Sequence, residues 1–139
     1  METIIVDTGP IVALFNANDR FHAPVRHWFE KHSAAYQLVS CEAVITEAAY
    51  MLGWNIDTQT ACLSWAQHSL TIQPIAGNAY EKMGQWMRQF ANVPMDFADA
   101  CVLWLYMEHR GSSVLTLDQR GFGVLRLPGQ RKFPSVVAL

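Results

Sequence analysis

The sequence predicts an α/β fold built on a parallel sheet, and three observations carry that prediction. Ile4-Ile5-Val6 is a β-branched run with no polar face, the pattern of a strand buried on both sides. It passes through the turn Asp7-Thr8-Gly9-Pro10, whose proline suits a helix start, into an apolar helix over residues 11–15. Far downstream a second apolar strand, residues 113–117, also ends in an acid, Asp118. Between the two, helical patterns alternate with short strands, the order expected of βαβ units.

The elements follow in order. Asn16-Ala17-Asn18-Asp19-Arg20 is a polar loop, and Asp19 is placed to cap a helix over residues 22–32 with the apolar stripe Val25, Trp28 and Phe29. Residues 37–40 read as a strand, with Ser40 as N-cap of a strongly apolar helix over residues 41–53. Asp57 opens a further helix carrying Ala61, Leu63, Trp65 and Ala66. Residues 71–75 read as an edge strand, because Pro74 cannot serve a central ladder. A helix over residues 78–90 follows, then an almost wholly apolar one over residues 94–107, headed by Asp96 and Asp99 and stopped at Gly111. Residues 119–123 read as a loop and residues 124–127 as a last edge strand. With no repeat, linker or low-complexity stretch, residues 1–139 are expected to form one domain.

Composition narrows the partners. At 139 residues and 51% hydrophobic, the chain is large enough to bury a sizeable core. Ten basic against twelve acidic side chains give a formal net charge of −2, so the molecule does not hold nucleic acid by bulk charge. Any such contact needs a local patch or a metal. Cys41, Cys62 and Cys101 are odd in number, single, and set in apolar helical contexts without zinc spacing, which fits buried thiols in a reducing compartment. No run approaches the roughly 18 apolar residues of a membrane span, and Glu2 stands where a secretory leader would be basic. A soluble, cytoplasmic protein is expected.

Five acids call for explanation. Asp7 and Asp118 each follow a strand directly, so parallel neighbours would set both at one sheet edge, where open α/β sheets carry their chemistry. Asp96 and Asp99 are three residues apart and share a helix face. Glu47 lies mid-helix among Ile45, Ala48, Ala49 and Met51, where a lone ionised acid is costly. Each has a structural alternative: Asp7 and Asp96 as helix caps, Asp99 as a capping-box partner that is short for the reach, Asp118 as a turn opener, Glu47 as a surface side chain. Like charges 4 Å apart repel by about 1 kcal/mol in water and about 4 kcal/mol at an effective dielectric of 20. Against a total stability of about 5–15 kcal/mol, a real cluster needs protons or cations. Oxygen donors without His or Cys select Mg²⁺ or Mn²⁺ and suit metal-assisted phosphoryl chemistry.

With these residues the chain resembles the PIN-domain family, and within it the VapC-type toxins of toxin–antitoxin pairs. The likeness rests on Ile5-Val6-Asp7-Thr8-Gly9-Pro10, Asn18-Asp19-Arg20-Phe21-His22, Thr46-Glu47-Ala48-Ala49-Tyr50-Met51-Leu52, Pro94-Met95-Asp96-Phe97-Ala98-Asp99-Ala100, and Val114-Leu115-Thr116-Leu117-Asp118 with Phe122. Their order and spacing together are specific. The resemblance implies a PIN-like three-layer sandwich, with a central parallel sheet of about five strands flanked by helices. It implies an endoribonuclease dependent on Mg²⁺ or Mn²⁺ that leaves 5′-phosphate and 3′-hydroxyl ends. Asp7, Glu47 and Asp99 match the family's acidic metal ligands, Asp118 its more variable fourth acid, and Asp96 an acid ranked below Asp99. Thr8 and Thr116 match hydroxyl positions beside them. Gly121 departs from the polar residue many relatives carry there. A cognate antitoxin that blocks the acidic groove and a homodimer through residues 42–52 and 57–66 are also implied.

The remaining polar residues carry less. His22, His27, His32, His68 and His109 lack ligand spacing and read as structural or surface, with His22 the leading exception. Arg20, Arg88, Arg120, Arg126, Arg131 and Lys132 are candidates to hold RNA phosphates that the acids repel. The tryptophans read as core or interface anchors, one of them open to base stacking at the rim. Two other classes compete. One is a catalytically inactive PIN-like module that binds RNA or protein. The other is a phosphotransfer domain with Asp7 as nucleophile, disfavoured because Gly9 stands where a second acid is needed.

Overall fold

The computed structural model of the chain describes residues 1–118, strand residues 126, 127, 131 and 132, and residues 137 and 139. The loop expected at residues 119–123 lies outside the described residues, as do Arg120, Gly121, Phe122 and the side chains of Arg126, Arg131 and Lys132.

Strand β1, Thr3–Val6, is the β-branched run and is buried along three of its four residues. Helix α1, Thr8–Phe15, starts two residues earlier than expected, so Pro10 occupies its third position. That is tolerated because the first four helical N–H groups have no intrahelical acceptor. Helix α2, His22–His32, follows. Asp19 does not cap it as an N-cap residue; its carboxylate accepts from the Phe21 amide at 2.8 Å and its carbonyl from the His22 amide at 2.9 Å. Strand β2, Gln37–Ser40, leads to α3, Glu42–Leu52. Ser40 is not the N-cap: its wholly buried hydroxyl donates to the Val6 carbonyl at 2.9 Å, so it closes the β1–β2 seam instead. Helix α4, Ile56–Ser69, starts one residue before Asp57 and is capped by Asn55, which accepts from the Thr58 amide.

Strand β3, Thr71–Ile72, a short 3₁₀ turn at Gly77–Ala79 and helix α5, Tyr80–Gln89, precede α6, Phe97–Glu108. Strand β4, Ser113–Leu115, is two residues shorter than expected. Gly111 adopts a positive φ of 78° between α6 and β4, a conformation open to glycine at little cost.

The sheet order is β3-β2-β1-β4, all parallel, with β3 at the edge as expected, although it stops at Ile72, short of Pro74 and of the expected residue 75. The parallel sheet thus holds four strands among the described residues, close to the expected five. The edge strand expected at residues 124–127 is replaced by β5, Arg126–Leu127, which pairs antiparallel with β6, Arg131–Lys132, in a separate ribbon. The open edge of β4 is met by the tail, where the Val137 amide donates to the Val114 carbonyl at 2.9 Å.

From β1 the chain winds outward through β2 to β3, then returns to the far side of β1 for β4. Right-handed crossovers therefore put α1–α4 on one face and α5–α6 on the other, the expected three layers. The reversal falls between β1 and β4, the switch point at which open sheets bind ligands.

Helix α6 buries Ala98, Ala100, Cys101, Val102, Leu103 and Leu105, which accounts for its lack of a polar face. Leu103→Ala is expected to destabilise the fold by about 2–5 kcal/mol through the void it leaves. The check is a lowered urea midpoint at an unchanged m-value. All three cysteines are free and buried. No helix among the described residues is long and apolar enough to cross a membrane.

Candidate active site

Asp7 is the first residue past β1, and Thr116 the first past β4. Because Val6 pairs with Leu115, the next residue of each strand comes out side by side at the switch point. The Asp7 amide still donates to the Leu115 carbonyl at 3.0 Å. The Thr116 hydroxyl donates to Asp7 Oδ2 at 2.7 Å, and the Asp118 amide donates to the Thr116 hydroxyl oxygen at 2.9 Å. A short relay thus fixes one orientation of the Asp7 carboxylate. Asp7 is 5% exposed and sits at the N-cap position of α1, yet its side chain does not cap the helix.

The next acid comes from α3, which packs across α1. The Thr8 hydroxyl donates to Glu47 Oε2 at 3.2 Å, so a residue adjacent to Asp7 holds Glu47 toward it. Glu47 is half-buried rather than projecting freely from the helix.

Asp96 and Asp99 head α6. They form a reciprocal capping box: Asp96 Oδ1 accepts from the Asp99 amide at 2.8 Å, and Asp99 Oδ2 accepts from the Asp96 amide at 3.1 Å. Asp99 is therefore long enough for the reach the sequence made doubtful. Asp96 is exposed and Asp99 half-buried. Asp118 is exposed at the rim beyond β4.

The five acids come from four places in the chain and act on one another. Burial raises the pKa of Asp7, with Asp118 and Asp96 pushing the same way against the Thr116 hydroxyl and the Thr8 backbone. Burial also raises Glu47, helped by Asp96 and Asp7 and opposed by Thr8. Asp99 is pushed up to about 7, first by burial and then by Asp96 and Asp7, against the hydrogen bond from the Asp96 backbone. Among the described residues, no three of these side chains close into a finished metal cage. The arrangement is an open, electrostatically strained rim of oxygen donors. Such a donor set fits a hard divalent cation, which would relieve the repulsion that now favours protons.

Other expected residues fall elsewhere. His22 is not an exception among the histidines: its Nδ1 lies 2.7 Å from the Ala13 carbonyl and ties α2 to α1. His68 bonds within its own helix and His109 pairs with Gln73. Arg20 lies over the Phe21 ring at 4.6 Å, and Arg88 is exposed on α5. Trp28 and Trp86 are buried, as anchors should be, whereas Trp54 is 99% exposed.

Cys41 was not foreseen as part of this neighbourhood. It is the first residue past β2, so parallel pairing brings it to the same rim as Asp7. Its thiol lies against Cys101, which lowers the Cys41 pKa and raises that of Cys101. The signal was its place immediately after a strand, as for Asp7. Tyr80 and Phe97 are exposed, and their rings meet beside the Asp96–Asp99 capping box that flanks Phe97.

Fold and site together define an α/β protein whose carboxylates gather at the switch point of a parallel sheet. The PIN domain family profile matches residues 4–126, and the chain belongs to that family. Ribonuclease VapC26 of Mycobacterium tuberculosis is 27% identical over 136 residues, covering 96% of this chain and 99% of the relative. Among solved structures, the chain is similar to VapC20 of Mycobacterium tuberculosis, described as a sarcin-ricin-loop-cleaving toxin. The TM-score is 0.70 at 17% identity, over 80% of this chain and 86% of that one. DNA-bound VapBC from Salmonella typhimurium aligns over 99% of this chain and 98% of its own, with a TM-score of 0.61 and 18% identity. These two likenesses concern the fold.

Proposed function

We propose that this protein is a divalent-metal-dependent endoribonuclease, the toxin of a toxin–antitoxin pair acting in the cytoplasm as one domain. The observation that carries the reading is the buried Asp7 at the switch point, oriented by Thr116 and facing acids from three other places in the chain. The match to a ribonuclease along nearly its whole length supports it.

Asp7, Glu47 and Asp99 would hold Mg²⁺ or Mn²⁺, with Asp118 and the less central Asp96 completing the rim. The bound ion supplies Lewis acidity, making water a competent nucleophile near neutral pH and offsetting charge on the phosphate. The chain's own work is to hold the ligands ready. Thr116 and Thr8 lock the orientations of Asp7 and Glu47, and the capping box fixes Asp96 and Asp99 relative to each other. Burial behind α1 and β4 keeps Asp7 from relaxing into solvent. The antitoxin would block this groove, best with a basic side chain. The exposed apolar Tyr50, Met51, Trp54 and Ile56 at the α3–α4 corner support a homodimer.

One observation favours a second reading. The acids do not close a metal cage among the described residues, which is what a non-catalytic PIN-like module binding RNA or protein would show. A single experiment separates the two. Purified protein is incubated with a mixed RNA pool in Mg²⁺ or Mn²⁺ and, in parallel, in EDTA, and its melting temperature is measured in both. The nuclease reading expects cleavage to 5′-phosphate and 3′-hydroxyl ends with metal only. It also expects an upward thermal shift, because a ligand that binds only the folded state stabilises it. Intact RNA together with an unmoved melting temperature would overturn the nuclease reading and favour the binding module.

A further inference from the structure

Beside the acids lies a cleft of about 310 Å³ to which the reading above gives no role. Its walls include Glu42, Thr46, Gln73, Tyr80, Phe97 and Cys101. The chain ties it to the site at two points: Thr46 immediately precedes Glu47, and Phe97 lies between Asp96 and Asp99. The cleft therefore adjoins the segments that carry Glu47, Asp96 and Asp99.

Two features of the cleft ask for a ligand. Tyr80 is 54% exposed and Phe97 44% exposed. Their rings meet edge to face, with centroids 5.5 Å apart and planes at 90°, so the pair offers both a ring face and a ring edge to an incoming planar group. The second feature is the cleft's size, at the bottom of the range of about 300–1,000 Å³ typical of small-molecule sites, which suits one flat group and little more. A planar π-system that arrives next to a phosphate is a nucleobase.

The polar walls say which base. Gln73 is committed: its amide oxygen accepts from His109 Nε2 at 2.7 Å, and its amide nitrogen donates to Glu108. It is a wall rather than a reader. Glu42, exposed in the first turn of α3, is an acceptor when ionised. Among the bases, guanine presents two parallel N–H donors, N1–H and N2–H, that match both oxygens of one carboxylate. We infer that this cleft seats a single unpaired base of the RNA beside the scissile phosphate, stacked on Phe97 and Tyr80, and that Glu42 makes guanine the preferred base. The inference rests on the ribonuclease reading for its ligand class.

The test uses the full chain carrying Asp7→Asn, so that RNA is bound without being cut, and short single-stranded RNAs with or without guanine, read by fluorescence anisotropy. Binding is expected to favour the guanine-containing strand. Phe97→Ala or Tyr80→Ala is expected to weaken it about tenfold or more, the scale of one lost aromatic–base stack. Phe97→Trp should restore binding, and Glu42→Gln should erase the guanine preference while leaving overall affinity within a few-fold. If both alanine variants bind like the parent, or loosen only self-association, the cleft is not a base site. The same variants made in the wild-type background separate the two readings. Wild-type protein that cuts RNA while Phe97→Ala cuts identically removes the base site alone. Protein that never cuts RNA, yet binds guanine strands in a Phe97-dependent way, removes the nuclease and keeps the base site.

Discussion

Asp7→Asn is expected to leave a folded protein whose RNA cleavage is slower by about a thousandfold or more. The substitution keeps the shape of the side chain. Asn Oδ1 can still accept from the Thr116 hydroxyl, so the bond that now holds Asp7 at 2.7 Å survives. What disappears is a negative charge at a site 5% exposed, flanked by Asp118 and Asp96. Losing that charge relieves burial and repulsion, so the melting temperature without metal should stay level or rise. For catalysis the same loss is severe. On the proposed reading the charge that would anchor a divalent cation is gone, and metal ions contribute several kcal/mol of transition-state stabilisation. At about 1.4 kcal/mol per tenfold, three powers of ten follow. Single-turnover cleavage of a defined RNA, alongside circular-dichroism melting, measures both halves. A variant that cuts at the wild-type rate would remove Asp7 from the site.

The second large effect is at Asp99, where activity and stability should move in opposite directions. In the folded chain its pKa stands near 7, against 3.8 for an unhindered carboxyl. The folded state therefore holds a proton that the unfolded state has released between those two values. Stability must fall as pH rises across that window, and the loss is complete above about 7. Asp99→Asn has no proton to lose, and its amide oxygen can still accept from the Asp96 backbone. Without metal, the variant should be more stable than wild type at pH 8 by on the order of 1 kcal/mol, a figure reduced for the solvent screening of a half-buried group. The gap should close toward pH 4. Cleavage should drop about a hundredfold to a thousandfold, and the thermal shift produced by Mg²⁺ or Mn²⁺ should shrink. Denaturant titrations at pH 4, 6 and 8, with and without metal, give the comparison. A wild-type protein whose metal-free stability is flat across this range would contradict the strain described for these acids.

On the proposed reading, these acids cost the apo fold stability in return for cation affinity, a common trade at functional positions. The same local strain is what made the acids stand out in the sequence. Asp7 stood out because it ended a fully apolar strand, and Glu47 because its helical neighbours were apolar. Asp96 and Asp99 stood out because they headed an almost wholly apolar helix. In each case the oddity was local. Residues whose role depends on a distant partner were misread. Ser40 looked like a cap, since a serine before a helix usually is one, but the neighbouring strand's Val6 carbonyl claimed its hydroxyl. His22 was the leading exception among the histidines, but the Ala13 carbonyl of the preceding helix occupies its Nδ1. Tyr80 and Phe97 lay unremarked in helical stretches, and are exposed against each other from two different helices.

The order and kind of the elements were legible from one dimension, because strand and helix burial impose periods of two and of 3.6 that any chain must write into its apolar residues. Short parallel strands, the apolar α6 and the placing of acids at strand and helix ends all followed from that constraint. Only the tertiary structure decided which strands are neighbours, and hence that Asp7 and Thr116 emerge together with α3 and α6 bringing Glu47, Asp96 and Asp99 to the same rim. Strand order depends on how the helices pack on each face, and packing is an interaction between segments whose separation along the chain leaves no periodic trace.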